Sequence, residues 1–237
     1  MEIFKVIANA LFPNRCIACG EIINKEEFLC DYCYEMKEYV DYSKICLRCG
    51  LPKKECQCKN KVFHFNGCVA PFYNKSVTKD AMYRYKFARV KSGSKFFANE
   101  MAKTVKTVYN DIVFDGISYV PMHKLKQLKR GFNQSEELAY RLSKILGLKV
   151  YSDLLHCKFT RIRQHDLPFK LRFQNVKNKY KTRYKVYGKT ILLVDDIKTS
   201  GASLDECARQ LLLAGADNVY CITGVITELR KENKNGN

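Results

Sequence analysis

Eight cysteines fall within one 43-residue stretch of this 237-residue chain, and no other feature restricts its folding so strongly. They come in four pairs: CIACG supplies Cys16 and Cys19, LCDYC supplies Cys30 and Cys33, CLRCG supplies Cys46 and Cys49, and ECQC supplies Cys56 and Cys58. Two thiolates at such spacing, on a tight turn, point at one tetrahedral ion, and two pairs close a structural zinc site. Gly20 and Gly50 directly follow two of the pairs and suit the knuckle turn. The expected sets are Cys16/Cys19 with Cys30/Cys33 and Cys46/Cys49 with Cys56/Cys58, holding one or two zinc ions. Chain order alone leaves an interleaved arrangement open. Disulfides are the rival reading. A chain with a core of this size needs no such staples, and the start MEIFKVIANALFPNRC lacks the basic region and cleavage site of a signal peptide. That start is expected to be a short helix packed on the body. Cys68, Cys157, Cys207 and Cys221 lie scattered in apolar surroundings and read as small buried hydrophobes.

Charge divides the chain unevenly. Residues 1–66 carry ten Lys/Arg against nine Asp/Glu, while residues 67–237 carry 32 against 15. Within residues 158–189 there are eleven basic residues and one acid, Asp166, a density that attracts polyanions. No apolar run reaches ~18 residues, so no membrane-spanning helix is expected, and the expected location is cytoplasmic.

From Gly67 onward the pattern changes to alternating strands and helices. GCVAPFY reads as a strand, SVTKDAMYRYKFAR and SKFFANEMAKTVKTVY as helices, and GISYVPM as a strand stopped by Pro121. Asn133, with Glu136 three residues on, caps a helix that ends at Gly147. KVYSDLLHCKF, KTILLVDD and DNVYCITGVIT supply further strand signals, and Ser203 with Glu206 has the pattern of a capping box. Such alternation predicts an α/β fold, a mostly parallel sheet flanked by helices. The expected organisation is a small Cys-rich double ribbon over residues 1–66 and the α/β domain over residues 67–237.

The strand ILLV runs into Asp195 and Asp196, and a small, hydroxyl-rich segment follows: Thr199, Ser200, Gly201, Ala202 and Ser203. Ligands of open parallel sheets bind beyond the carboxyl ends of the strands. A short loop feeding a helix N-terminus is a phosphate site, because free N–H groups and the helix dipole favour an anion there. Two carboxylates beside it call for hydroxyls, a metal, or both. A phosphorylated sugar with Mg²⁺ satisfies every part, whereas a metal-only carboxylate pair with an ordinary helix cap satisfies fewer. No G-x-x-x-x-G-K-[ST] pattern is present.

VDDIKTSGAS resembles the 5-phosphoribosyl-1-pyrophosphate (PRPP) motif of type I phosphoribosyltransferases. Three further segments resemble one branch, the ComF/ComFC family of competence (DNA-uptake) proteins: LFPNRCIACG with LCDYC, YVPMHKLKQLKRGFNQSEELA, and RIRQHDLPFKLRFQNV. Together they run along nearly the whole chain in order. Ser200 stands where that family often has Thr, and the hydroxyl is kept. The resemblance implies a type I phosphoribosyltransferase fold with an N-terminal zinc ribbon. It implies that Asp195 and Asp196 hold the ribose hydroxyls or waters on Mg²⁺, and that Thr199, Ser200, Gly201, Ala202 and Ser203 hold the 5′-phosphate. The loop after Val120, with Lys129, Arg130 and Gly131, would face the pyrophosphate. Residues 161–175 would close over the site as a mobile loop. Asn133 and Gln134 are open to a plain helix-capping role, and Lys86 is open both to reaching the site and to the simpler role of a snorkelling surface lysine.

Two functions follow. The first is a PRPP-binding protein of DNA uptake and natural transformation that handles single-stranded DNA, with DNA-uptake proteins as further partners. Its DNA strip would use Phe159, Phe169, Phe173, Tyr180, Tyr184 and Tyr187 interleaved with Lys/Arg. The second is a metabolic phosphoribosyltransferase, transferring 5-phosphoribosyl to a base or amine, in which the ribbon is only structural.

Overall fold

The computed structural model describes residues 13–24, 26–56, 58–59, 61–88, 90–158 and 176–228. The expectations for the chain's start, for residues 161–175 and for Phe159, Phe169 and Phe173 lie outside these residues.

The front end is two copies of one small device. In each knuckle a hairpin bridge, Arg15 with Ile22 and Ile45 with Pro52, flanks a turn closed by its glycine. Gly20 N donates to Cys16 O at 3.0 Å and Gly50 N donates to Cys46 O at 2.7 Å. Both glycines have positive φ, +88° and +71°, which a side chain would strain. Helix α1 (Asp31–Glu35) starts directly at Cys30 and carries Cys33.

The body is a parallel sheet. Strands β1 (Gly67–Val69) and β2 (Phe72–Tyr73) are followed by helices α2 (Ser76–Phe87) and α3 (Ser92–Val108). Then come β3 (Gly116–Tyr119), α4 (Lys124–Arg130), α5 (Gln134–Leu146), β4 (Leu155–Cys157), β5 (Tyr180–Thr182), β6 (Thr190–Lys198), α6 (Ala202–Leu213) and β7 (Asn218–Ile226). The order across the sheet is β1-β7-β6-β3, with β2 also on β7, and every pairing is parallel. β1 and β2 are one edge strand interrupted at Ala70 and Pro71, where Pro71 has no N–H to donate. Ile191, Leu192, Leu193 and Val194 of β6 have no exposure, as expected of a central strand covered on both faces.

Three expectations are corrected. β6 does not stop at the aspartates but runs on to Lys198, because its pairing with β7 continues through Lys198 and Ile226. KVYSDLLHCKF does not join the main sheet as a strand. Val150 makes an isolated parallel bridge to Ile117, and β4 pairs antiparallel with β5 in a separate hairpin. Ser203 and Glu206 form no capping box: Gly201, at φ +77°, turns the chain into α6 two residues early, so Ser203 already lies in its first turn. Glu206 instead accepts from Asn178 N at 3.0 Å and binds Arg209. The Asn133 cap is as expected, accepting from Ser135 N, and α5 ends at Gly147.

The ribbon shares the body's interior. Cys16, Ile17, Leu29, Cys30 and Ile45 belong to the same buried cluster as Phe72, Phe96 and Phe97. Tyr39 Oη donates to Glu100, Tyr42 Oη pairs with Thr104 Oγ1 at 2.9 Å, and Val40 N donates to Pro71 O.

Candidate PRPP and zinc sites

Sulfurs of Cys16, Cys19, Cys30 and Cys33 all lie within 4.8 Å of one another, as do those of Cys46, Cys49, Cys56 and Cys58. The sets are sequential, not interleaved. Contacts of 3.7 Å (Cys19–Cys30), 3.9 Å (Cys46–Cys58) and 3.8 Å (Cys49–Cys56) are far longer than a disulfide bond of about 2.05 Å. They match the edge of a ZnS₄ tetrahedron, about 3.8 Å for Zn–S bonds of about 2.3 Å. Burial, then crowding by the Cys30 and Cys16 sulfurs, pushes the Cys33 thiol well above its ordinary range. A divalent cation removes that conflict, so both sets fit structural zinc.

The second centre lies at the end of β6. Asp195 Oδ1 accepts from Ser135 Oγ at 2.7 Å and from Asp196 N at 2.9 Å. Asp196 Oδ2 is 2.7 Å from Lys86 Nζ, in a pair whose two side chains are each 13% exposed. On neighbouring β7, a Cβ at Gly224 would lie 2.8 Å from Met82 Cε, 3.2 Å from Asp196 O and 3.3 Å from Phe97 Cδ1, so α2 and α3 pack their side chains directly onto this glycine. Lys86, one turn beyond Met82, then reaches the carboxylate. Burial, then the charge of Asp196, pushes the Asp195 carboxyl up to about 7, against the pull of Ser135, the Asp196 N–H and Lys86.

Beyond the strand, Thr199 and Ser200 lead into Gly201. Ser200 is 2% exposed and its Oγ accepts from Ala202 N at 3.3 Å. A Cβ on Gly201 would meet Lys198 Cε at 3.2 Å. Ser203 Oγ receives the Tyr180 hydroxyl at 3.3 Å. The five loop residues therefore cluster at the N-terminus of a twelve-residue helix, as the sequence predicts.

The segment holding Lys129, Arg130 and Gly131 is not a loop but the end of α4, with Gly131 (φ +90°) closing it. Arg130 Nη1 donates to Gln134 Oε1 at 2.9 Å, whereas Lys129 is exposed. Lys126, one turn before Arg130, is the cation that sequence reading missed on this helix. The residue as a whole is exposed, yet desolvation of its ammonium and then the charges of Arg130 and Lys179 lower its pKa, with Lys86 adding to the effect and Asp196 opposing it. Lys86, Arg130 and Lys179 thus all act on Lys126, and Lys86 is the cation paired with Asp196. Gln134 is fully buried, and its Nε2 has no partner among the described residues.

Residues 13–63 of this architecture fall within a match to the family model described as "Double zinc ribbon domain", which covers residues 7–63. The DNA utilization protein YhgH of Escherichia coli K12 is 34% identical over 110 residues, 46% of this chain and 48% of that protein. Its counterpart in Salmonella typhi is 37% identical over 114 residues, with 46% and 48% covered. Competence protein F of Haemophilus influenzae is 28% identical over 108 residues, 44% of this chain and 47% of that protein. The chain thus spans about half the length of the curated relatives it matches. Among solved structures, a purine phosphoribosyltransferase from Pyrococcus horikoshii is similar at 15% identity and TM-score 0.34, covering 58% of this chain and 82% of that one. At that score the reading of the Asp195–Asp196 site rests on its own residues. The double zinc ribbon, and relatives named for DNA utilization and competence, support the resemblance to the ComF-like family.

Proposed function

We propose that this chain binds PRPP with Mg²⁺ at the end of β6 and acts on single-stranded DNA in DNA uptake. The observation that carries the reading is the pairing of two carboxylates with a phosphate loop under a field of cations. The backbone N–H groups around Gly201 and the hydroxyls of Thr199, Ser200 and Ser203 suit a 5′-phosphate at the start of α6. Asp195 and Asp196 stand where ribose hydroxyls would be accepted. Lys86, Lys126, Arg130 and Lys179 suit a pyrophosphate, and the free Gln134 amide offers one more donor. Mg²⁺ fits a hard-oxygen set made of Asp195, Asp196 and the ligand's own phosphates; it would offset the charge of the leaving group. Lys86 then has two anions to choose between, and a ligand that draws it from Asp196 frees that carboxylate for the sugar. Where transfer takes place, the C1–O bond to pyrophosphate breaks, its electron pair leaves with pyrophosphate, and the acceptor bonds to C1.

DNA binding draws on the hairpin that carries Lys179. Lys177, Lys181 and Arg183 are exposed, as are Tyr184 (43%) and Tyr187 (70%). Tyr180 is 3% exposed and belongs to the core, so it leaves the stacking strip. Lys185 donates to Leu213 O at 3.1 Å and so caps α6.

PRPP with Mg²⁺ at about 100 times its Kd should stabilise the fold by about 2.7 kcal/mol, or roughly 5–10 °C in Tm. Asp195→Ala with Asp196→Ala should abolish that shift while leaving a cooperative unfolding transition. An unchanged shift in the double variant places the ligand elsewhere.

A further inference from the structure

Tyr83 and Phe87 sit one turn apart on α2 and are 61% and 56% exposed. Their ring centroids are 4.8 Å apart at an interplanar angle of 41°. The guanidinium of Arg130 lies 5.0 Å over the Phe87 ring, while its Nη1 is fixed on Gln134. Between the two aromatics in sequence, Lys86 turns inward to Asp196. The aromatic pair therefore occupies the rim of the carboxylate site, less than one helical turn from it along α2. A single exposed apolar side chain is ordinary. Two rings in contact, backed by a guanidinium and bordered by Lys86 and Lys126, form a surface whose complement is flat, aromatic and anionic.

We propose that Tyr83, Phe87 and Arg130 form a stacking platform for an unpaired base of a single-stranded nucleic acid, with the neighbouring phosphates lying on the cations of α4 and β5. The inference deepens the DNA reading above and rests on it. It also names the acceptor side: a flat heterocycle uses two aromatic faces and a guanidinium plane, whereas a small aliphatic amine leaves them unused. Charge complementarity selects nucleic acid over an apolar peptide, because the cations around the platform are matched by few acids. Among the described residues, Asp196 is the acid whose charge acts on Lys126, and it is engaged by Lys86.

The test measures binding of the full, zinc-loaded chain to a fluorescent oligothymidylate of about 15 nucleotides across a salt series. Tyr83→Ala with Phe87→Ala should weaken binding by about 5- to 150-fold, the scale of one stacked base. The slope of log affinity against log salt should not change, since no charge is removed. Phe87→Trp should retain or tighten binding. Both side chains are exposed, so the melting temperature of the double variant should stay near the parent's. Equal oligonucleotide affinity in parent and double variant overturns the proposal. So does a changed sedimentation coefficient of the DNA-free double variant, which would assign the platform to a second copy, or one matched by altered proteolysis within residues 159–175, which would assign it to that segment. The PRPP melting shift keeps the two readings apart. Its loss in the parent defeats the PRPP site, while its survival in a double variant with normal DNA binding defeats only the platform.

Discussion

Replacing Asp195 by Asn should make the ligand-free protein more stable, by an amount that grows with pH. Burial and then the Asp196 charge push the Asp195 carboxyl up to about 7, against about 3.9 in an unfolded chain. Between those values the folded chain holds a proton that the unfolded chain has released. Stability from this group is therefore full below about pH 4 and falls as pH rises through 7. Three units correspond to about 4 kcal/mol at 1.36 kcal/mol per unit. That figure is an upper bound, because Asp195 is partly open to solvent and shares its titration with Asp196. About half of it, near 2 kcal/mol, is expected to appear, or roughly 4–8 °C in Tm for a chain of this size. Asparagine is close to isosteric and keeps Oδ1 as an acceptor for Ser135 Oγ and Asp196 N.

The assay is thermal unfolding of parent and variant from pH 5 to 8.5. Zinc thiolates also protonate toward acid, but both proteins carry the same ribbon, so the difference in Tm isolates Asp195. A gain at pH 8 that shrinks toward pH 5, together with loss of the PRPP shift, is the expected result. A variant less stable than its parent at pH 8, or a gain that does not depend on pH, would refute the electrostatic reasoning. The carboxylate would then be stabilising in place, which is unlike a group kept for a ligand at a cost in stability.

Metal analysis of protein purified without chelator should return close to two zinc ions per chain, and a value near zero with thiols oxidised in pairs would remove the zinc assignment. Lys86→Met should cost about 3 kcal/mol, because it leaves Asp196 without its cation in a largely buried pair, read as a drop in denaturation midpoint. Gly201→Ala should cost about 1–2 kcal/mol from its left-handed φ and should reduce the PRPP melting shift, since its Cβ would press on the Lys198 stem. Reversing Lys177, Lys181 and Arg183 to Glu should weaken single-stranded DNA binding and flatten a salt slope expected near −3 to −4, whereas unchanged affinity at equal salt would exclude this hairpin. Cys49→Ser should diminish PRPP stabilisation more than Cys19→Ser does, as measured by the PRPP-induced change in Tm.

What was legible in the sequence was local. A pair of cysteines two residues apart, a glycine after it, Asn133 two residues before the amide it caps, and an unbroken ILLV run each encode their structure within one turn or one strand. Lys86 was legible only as one of two alternatives, because its partner Asp196 lies 110 positions away. Ser135 was hidden in the same way inside an ordinary helix start. The Ser203–Glu206 pattern misled because a left-handed glycine outranks a side-chain cap in deciding where a helix begins. KLKQLKR was passed over as a loop because α4 has seven residues and no buried face to give it a period.

The ribbon and the loop of residues 199–203, the proposed phosphate site, are physically joined, and this bears on why one chain holds both. A Cβ on Gly50, in the second knuckle, would lie 2.6 Å from Cys68 O and 2.7 Å from Ile226 Cδ1, so that knuckle sits flush against β1 and β7. Leu51 and Phe63 share a buried cluster with Ala202 and Leu204 at the start of α6. His64 N donates to Asp205 Oδ1 at 2.7 Å, tying the ribbon's exit to the same helix turn. Beneath Gly201 lies Lys198, 1% exposed; burial lowers its pKa, while the charges of Cys68, Cys49, Cys221 and Cys58 oppose that shift. A four-thiolate zinc centre carries net charge of about −2, which is the counter-charge a lysine buried there requires. Loss of the second zinc would therefore do more than loosen a satellite. It would unseat the side chain on which the Gly201 turn rests, so a change in the ribbon would reach the proposed ligand site through this buried lysine as well as through the packing around it.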